Sequence, residues 1–186
     1  LGPGPIVVMD TALISVVDDL PPTVTGASDP VILWPPNHKL HEVNVDLVVM
    51  DACDSVPAVV LFSLFSSELE NDIGDGNTAP DILEADVGTD DRTFLLRAER
   101  MGGGSGRVYT ATYRATDAAG NFTDGDVTIR VPHDRGGLKA AKAEAKAMEK
   151  MAKAQAKADA KLEKQLAKEL AKEAKQAARA AKKNAK

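Results

Sequence analysis

Glu42-Val43-Asn44-Val45-Asp46-Leu47-Val48-Val49 alternates polar and apolar side chains with a period of two residues. Val43, Val45, Leu47 and Val49 take one face and Glu42, Asn44 and Asp46 the other, as in a strand with one side in a core and one in water. Working outward, the same rhythm returns at Thr23–Ser28 with Val31–Trp34, and at Ala58–Ser66, Ile82–Val87, Thr93–Glu99, Val108–Thr116 and Val127–Val131. The stretches between them, 34–37, 72–80, 102–106 and 117–121, are rich in Gly, Pro, Asn and Asp, which favour turns. Seven short strands with no helical period predict an all-β domain over residues 21–135, a seven-stranded antiparallel Greek-key sandwich of immunoglobulin-like form. Trp34 is expected to fill space between the sheets. Residues 6–17 form a separate apolar run before Asp18-Asp19-Leu20-Pro21-Pro22. Residues 1–20 read either as a linker, as the last strand of a preceding domain, or as an extra edge strand. Because the chain starts at Leu1, it is expected to be an excerpt whose export signal lies upstream.

After Gly136-Gly137 the composition changes. From Leu138 onward nearly every residue is Ala, Lys, Glu, Gln, Leu, Met or Arg, the strongest helix formers, so a long single C-terminal α-helix is predicted over 136–186. Residues 138–183 span about 70 Å at 1.5 Å per residue. Basic residues recur at gaps of 3, 4 and 4, an 11-residue period that keeps one face cationic, and Lys150, Lys153, Lys157, Lys161, Lys164, Lys168, Lys172 and Lys175 form its centre. Met148, Met151, Leu162, Leu166 and Leu170 share the opposite side, broken by Asp159 and Glu173. Residues 1–135 hold 22 acidic and 8 basic residues, net −14, while residues 136–186 hold 6 and 15, net +9. An acidic globule is a poor match for sequence-specific nucleic-acid binding, whereas a cationic rod attracts polyanions. No run approaches the roughly 18 apolar residues of a membrane span.

Leu33-Trp34-Pro35-Pro36-Asn37-His38-Lys39 is followed by Asp51-Ala52-Cys53-Asp54, Gly74-Asp75-Gly76 with Pro80-Asp81, and 96–100 (Leu-Arg-Ala-Glu-Arg). It is then followed by 106–110 (Gly-Arg-Val-Tyr-Thr), 117–121 (Asp-Ala-Ala-Gly-Asn) and 131–134 (Val-Pro-His-Asp). This string resembles the immunoglobulin-like repeats of secreted bacterial surface proteins, related to hyalin-repeat and polycystic-kidney-disease-type domains. The resemblance covers residues 20–135. It implies an extracellular or cell-surface module that meets a protein or glycan and serves as spacer, adhesion unit or accessory domain, and it implies no reaction. One departure stands out: such repeats often carry a second cysteine, while Cys53 is the only one here, which excludes an intrachain disulfide.

Asp51, Asp54, Asp72, Asp75, Asn77 and Asp81 supply hard oxygen ligands on loops, as Ca²⁺ requires. The competing reading makes them ordinary turns whose side chains bond their own backbone. His38 and His41 stand at a zinc-like spacing but enter a strand, which favours packing or solvation. The glycines of 102–106 precede a strand rather than a helix, so they predict a flexible hairpin loop and no phosphate cradle. Arg97, Arg100, Arg107 and Arg114 are expected to pair with the many carboxylates. No Ser or Cys stands in a nucleophile context, so no enzyme is expected. The leading functional reading is a structural or adhesive module. The alternatives are an anchor using the cationic helix on polyanions, and an accessory domain of a secreted hydrolase.

Overall fold

The computed structural model describes residues 17–71 and 73–184, with side chains described for all of these except 163 and 177–184. Most of the 1–20 segment and Asp72 therefore lie outside the described residues. In chain order the elements are β1 (Thr23–Asp29), β2 (Leu40–Met50), β3 (Ala58–Ser66), β4 (Ile82–Leu83), β5 (Thr93–Arg97), β6 (Gly106–Thr116), β7 (Phe122–Pro132) and α1 (Arg135–Asn184). Two antiparallel sheets face each other, one ordered β1-β2-β5-β4 and the other β3-β6-β7. The description all-β thus fits the sandwich only, since α1 adds 50 residues of helix. Residues 31–33 run parallel to β7 through the Ile32–Arg130 bridge instead of lengthening β1.

Alternation decides which side of each strand is buried. In β2, Val43 and Val45 are buried while Glu42, Asn44 and Asp46 face water. In β6, Tyr109, Ala111, Tyr113 and Ala115 are all fully buried, so large and small side chains alternate toward the opposite sheet. Each buried phenol keeps a hydrogen bond, Tyr109 Oη donating to Arg97 O at 2.8 Å and Tyr113 Oη to Asp91 O at 2.8 Å. Leu33, Leu61, Phe94, Leu96, Ile129 and Val131 complete the core. Trp34 stays half-buried and outside it, because its neighbour Leu33 takes the inward position. The glycine-rich segment 102–106 closes no hairpin: β5 pairs with β2 and β4, and β6 with β3 and β7, so this segment crosses between sheets.

Strand register places two loop clusters at opposite ends of β6. Thr116 pairs with Ala58 and Phe122, next to where β2 ends, and Gly106 pairs with Pro132, where the helix begins. Asp134 starts α1: its Oδ1 accepts the Gly137 N–H at 2.8 Å and its carbonyl the Leu138 N–H at 2.9 Å. Among the described residues, only the first turns of α1 touch the sandwich, through buried Ala141 and the 3.4 Å pair Arg130–Glu144. Beyond them Met148, Met151, Leu162, Leu166 and Leu170 are all exposed. Among the described residues no helix is long and apolar enough to cross a membrane.

Candidate metal centre

At the Gly106 end, the guanidinium of Arg107 has no exposed surface. It pairs with Glu68 at 3.3 Å, with Asp75 at 3.7 Å and closely with Asp81, and it donates to Leu69 O. Two of the loop carboxylates expected to hold a cation, Asp75 and Asp81, are thus turned onto an internal cation. Asp75 Oδ1 also accepts the Asn77 N–H at 3.1 Å, the side-chain turn that such sequences form locally. Asn77 sits at φ 53° and Gly76 at φ 101°. A side chain at Gly76 would have its Cβ 2.7 Å from the His38 ring, so the turn needs glycine for space as well as for conformation. Arg97 fastens the same end by donating to His38 O at 2.7 Å and to Pro80 O at 2.8 and 3.0 Å.

Among the described residues, the opposite end has no such cation. Carboxylate oxygens of Asp18, Asp51 and Asp117 all lie within 4.8 Å of one another. Asp18 comes from the chain entering β1, Asp51 from the end of β2, and Asp117 from the end of β6. Within the 117–121 turn, Asp117 Oδ1 accepts the Asn121 N–H and Oδ2 the Asn121 Nδ2 amide, both at 2.8 Å. The same amide reaches Asp18 O at 3.2 Å. Asp51 Oδ1 accepts the N–H groups of Cys53 and Asp54 at 2.8 and 2.7 Å, while its Oδ2 is shut off from solvent with no donor. Asp54, expected from sequence to act with Asp51, braces the turn by accepting the Ala118 N–H at 3.0 Å. Among the described residues no Lys or Arg pairs with any of the three.

The electrostatics follow from that arrangement. Burial pushes Asp117 up, but the Asn121 side chain and the backbone N–H groups of the turn outweigh it and hold the carboxyl below its usual range. The exposed Cys53 thiol is pushed up, first by the charge of Asp18, then by burial and by Asp51. Three converging carboxylates with a donor-free buried oxygen suit a hard cation. Oxygens bound to one Ca²⁺ at 2.3–2.6 Å stand at most about 5.2 Å apart, and these three fall inside that limit.

Comparison of the chain with protein-family models, curated proteins and solved structures returns no match. Any function therefore has to rest on the geometry of the chain itself. Of the three clustered carboxylates the sequence reading names Asp51, and it names neither Asp18 nor Asp117. Asp117 opens the 117–121 turn and Asp18 stands in the linker before β1, yet only the fold brings them together. The eight lysines of the cationic face, Lys150 to Lys175, are exposed along α1, with Lys153 paired to Glu149 four residues earlier.

If this centre takes calcium, the full chain should melt higher with Ca²⁺ than with chelator. At about 100 times the dissociation constant the gain is about 2.7 kcal/mol. Asp51→Asn should erase the shift, while Asp75→Asn should lower the midpoint and retain it. Cys53 offers a second readout, since neutralising Asp18 and Asp51 should speed its reaction with a thiol reagent at pH 8. An unchanged midpoint and unchanged thiol reactivity would remove the centre.

Proposed function

We propose that the chain is a non-catalytic structural or adhesive module of an extracellular or cell-surface protein, of the immunoglobulin-like, hyalin-repeat or polycystic-kidney-disease-like type. In this reading calcium stiffens it at Asp18, Asp51 and Asp117. The order β1-β2-β5-β4 against β3-β6-β7 supports the type, because constant-type immunoglobulin sandwiches arrange their strands in that order with Greek-key connections. Tyr109 supports it too: near the start of the sixth strand, its hydroxyl bonds back to Arg97 O, as in a tyrosine corner.

The observation that carries the calcium reading is that Asp18, on the segment entering the domain, meets two loops of the sandwich. Around it, Val17 and Leu20 are largely exposed, and side chains of the sandwich reach this segment through the 3.2 Å bond from the Asn121 amide to Asp18 O and through the Cys53 thiol beside the Asp18 carboxylate. A cation shared by the three carboxylates would convert a loosely held entry into a fixed one, as a spacer under tension requires. Hydrogen exchange tests it. The Asp19 and Leu20 amides should exchange at least about tenfold more slowly with calcium than with chelator, a difference of about 1.4 kcal/mol. Asp18→Asn should abolish the difference. Equal exchange in both conditions would reject the stiffening role.

A second reading is favoured by the exposure of the lysine face. A straight cationic rod can lie on an anionic surface, each Lys contributing about 1 kcal/mol at low salt. Changing Lys153, Lys157, Lys161, Lys164 and Lys168 to Glu should abolish cosedimentation with phosphatidylserine vesicles at low salt, and Leu162→Ala with Leu166→Ala should leave it intact. Failure of the intact chain to sediment at low salt would reject anchoring.

A further inference from the structure

Past its first turns α1 carries an apolar seam that no other described element covers. Met148, Met151, Leu162, Leu166 and Leu170 are 68, 72, 65, 62 and 59 % exposed. With Gln155 and Asp159 they recur at gaps of 3, 4 and 4, an 11-residue period that keeps one line facing one way along the rod. Lys150, Lys153, Lys157, Lys161, Lys164, Lys168 and Lys172 each follow a seam residue by two positions, which is about 200° around the helix. Charge therefore stands behind the seam. Ala152, Ala154 and Ala158 stand beside it, and their small side chains let a second helix approach closely. Two rods that meet by their seams keep their lysines on the far sides, about 20 Å apart and well beyond the Debye length in physiological salt.

We propose that this seam docks α1 of a second copy of the chain, packed antiparallel about a two-fold axis near Lys157. About that point the seam is nearly palindromic: Met148 comes level with the partner's Leu166, Met151 with the partner's Leu162, and Gln155 with the partner's Asp159. Within one chain the Gln155 amide already donates to Asp159 Oδ1 at 2.9 Å. The same donor and acceptor can exchange across the axis, giving one polar layer that fixes the register of the apolar ones. The sandwich disfavours a parallel pair. Ala141, buried against it, and half-buried Ala145 lie about two turns and one turn before Met148, on the seam side of α1. Two parallel copies would both need the space at the foot of the seam, and their 1–135 segments, each net −14, would meet there. In the antiparallel pair each foot receives the partner's residues 171–184 instead, five basic and one acidic, so opposite charges meet. The lysine stripes stay outward, open to an anionic surface in monomer and dimer alike.

Sedimentation equilibrium of the full chain tests this, in physiological salt with reductant and chelator, over about 1 to 200 µM. Reductant keeps Cys53 from linking chains, and without calcium or lipid the result stands apart from the calcium and anchoring readings. The mass should rise with concentration from 19.6 kDa to twice that value. Leu162→Gln with Leu166→Gln should weaken association at least about tenfold, while far-UV circular dichroism keeps its helical signal. A nitroxide on Lys172→Cys, in a Cys53→Ser background, reads the orientation. The two labels stand about 45 Å apart along the rod in the antiparallel pair, against about 20 Å in a parallel one. A mass of 19.6 kDa throughout, a mass beyond twice that, an unweakened double variant or the shorter label distance would overturn the proposal.

Discussion

Arg107 carries a positive charge into a place with no water and collects Glu68, Asp75, Asp81 and a backbone carbonyl around it. Removing one partner of a buried pair costs about 3–5 kcal/mol, because the other charge is left stranded. One side chain at the start of β6 thereby holds a long connection between β3 and β4 against the end of the sandwich. The same strand continues through Tyr109, Ala111, Tyr113 and Ala115 to Asp117 at the far end, where carboxylates converge again and, among the described residues, no guanidinium meets them. The two ends pose the same electrostatic problem. At one the chain supplies its own cation, and at the other the proposed reading leaves that place to an ion from solution.

That asymmetry links fold to the proposed function. The end that lacks a cation is the one where the chain enters, through Asp18, while the end sealed by Arg107 is the one where α1 leaves, through Asp134. A domain whose entry is fixed by calcium and whose exit is a capped, self-sufficient helix would transmit orientation along the chain. The charge split of the sequence fits this layout: the acidic charge is carried by residues 1–135 and the basic excess by the projecting rod.

Much of the architecture was legible because it is local. The alternation of 42–49 and 108–116 names the buried faces, and the Ala/Lys composition names the helix, without knowledge of any partner. The features that were not legible depend on pairing across the chain. Asp75 and Asp81 look like cation ligands from spacing alone, and only the topology shows that Arg107, 26 residues beyond Asp81, reaches them first. His38 and Glu99 meet across 61 residues, which gives the Trp34–Lys39 motif a structural task that its sequence does not announce. The two-residue β4 was overestimated because the apolar residues after Leu83 continue the pattern without continuing the pairing. Asp18 and Asp117 each belong to a turn-forming or linker motif, but no periodicity connects residues so far apart.

The most direct measurement is a residue-resolved calcium titration of the full chain by ¹H–¹⁵N NMR. The Cys53 and Asp54 amides bond Asp51, and the Asn121 amide bonds Asp117, while the Asn77 amide bonds Asp75 at the other end. Saturable shifts at Cys53, Asp54 and Asn121, with Asn77 unmoved, are the expected result. Shifts confined to Asn77 and its neighbours, or no shift at any of these amides, would contradict the assignment of the ion to the entry end.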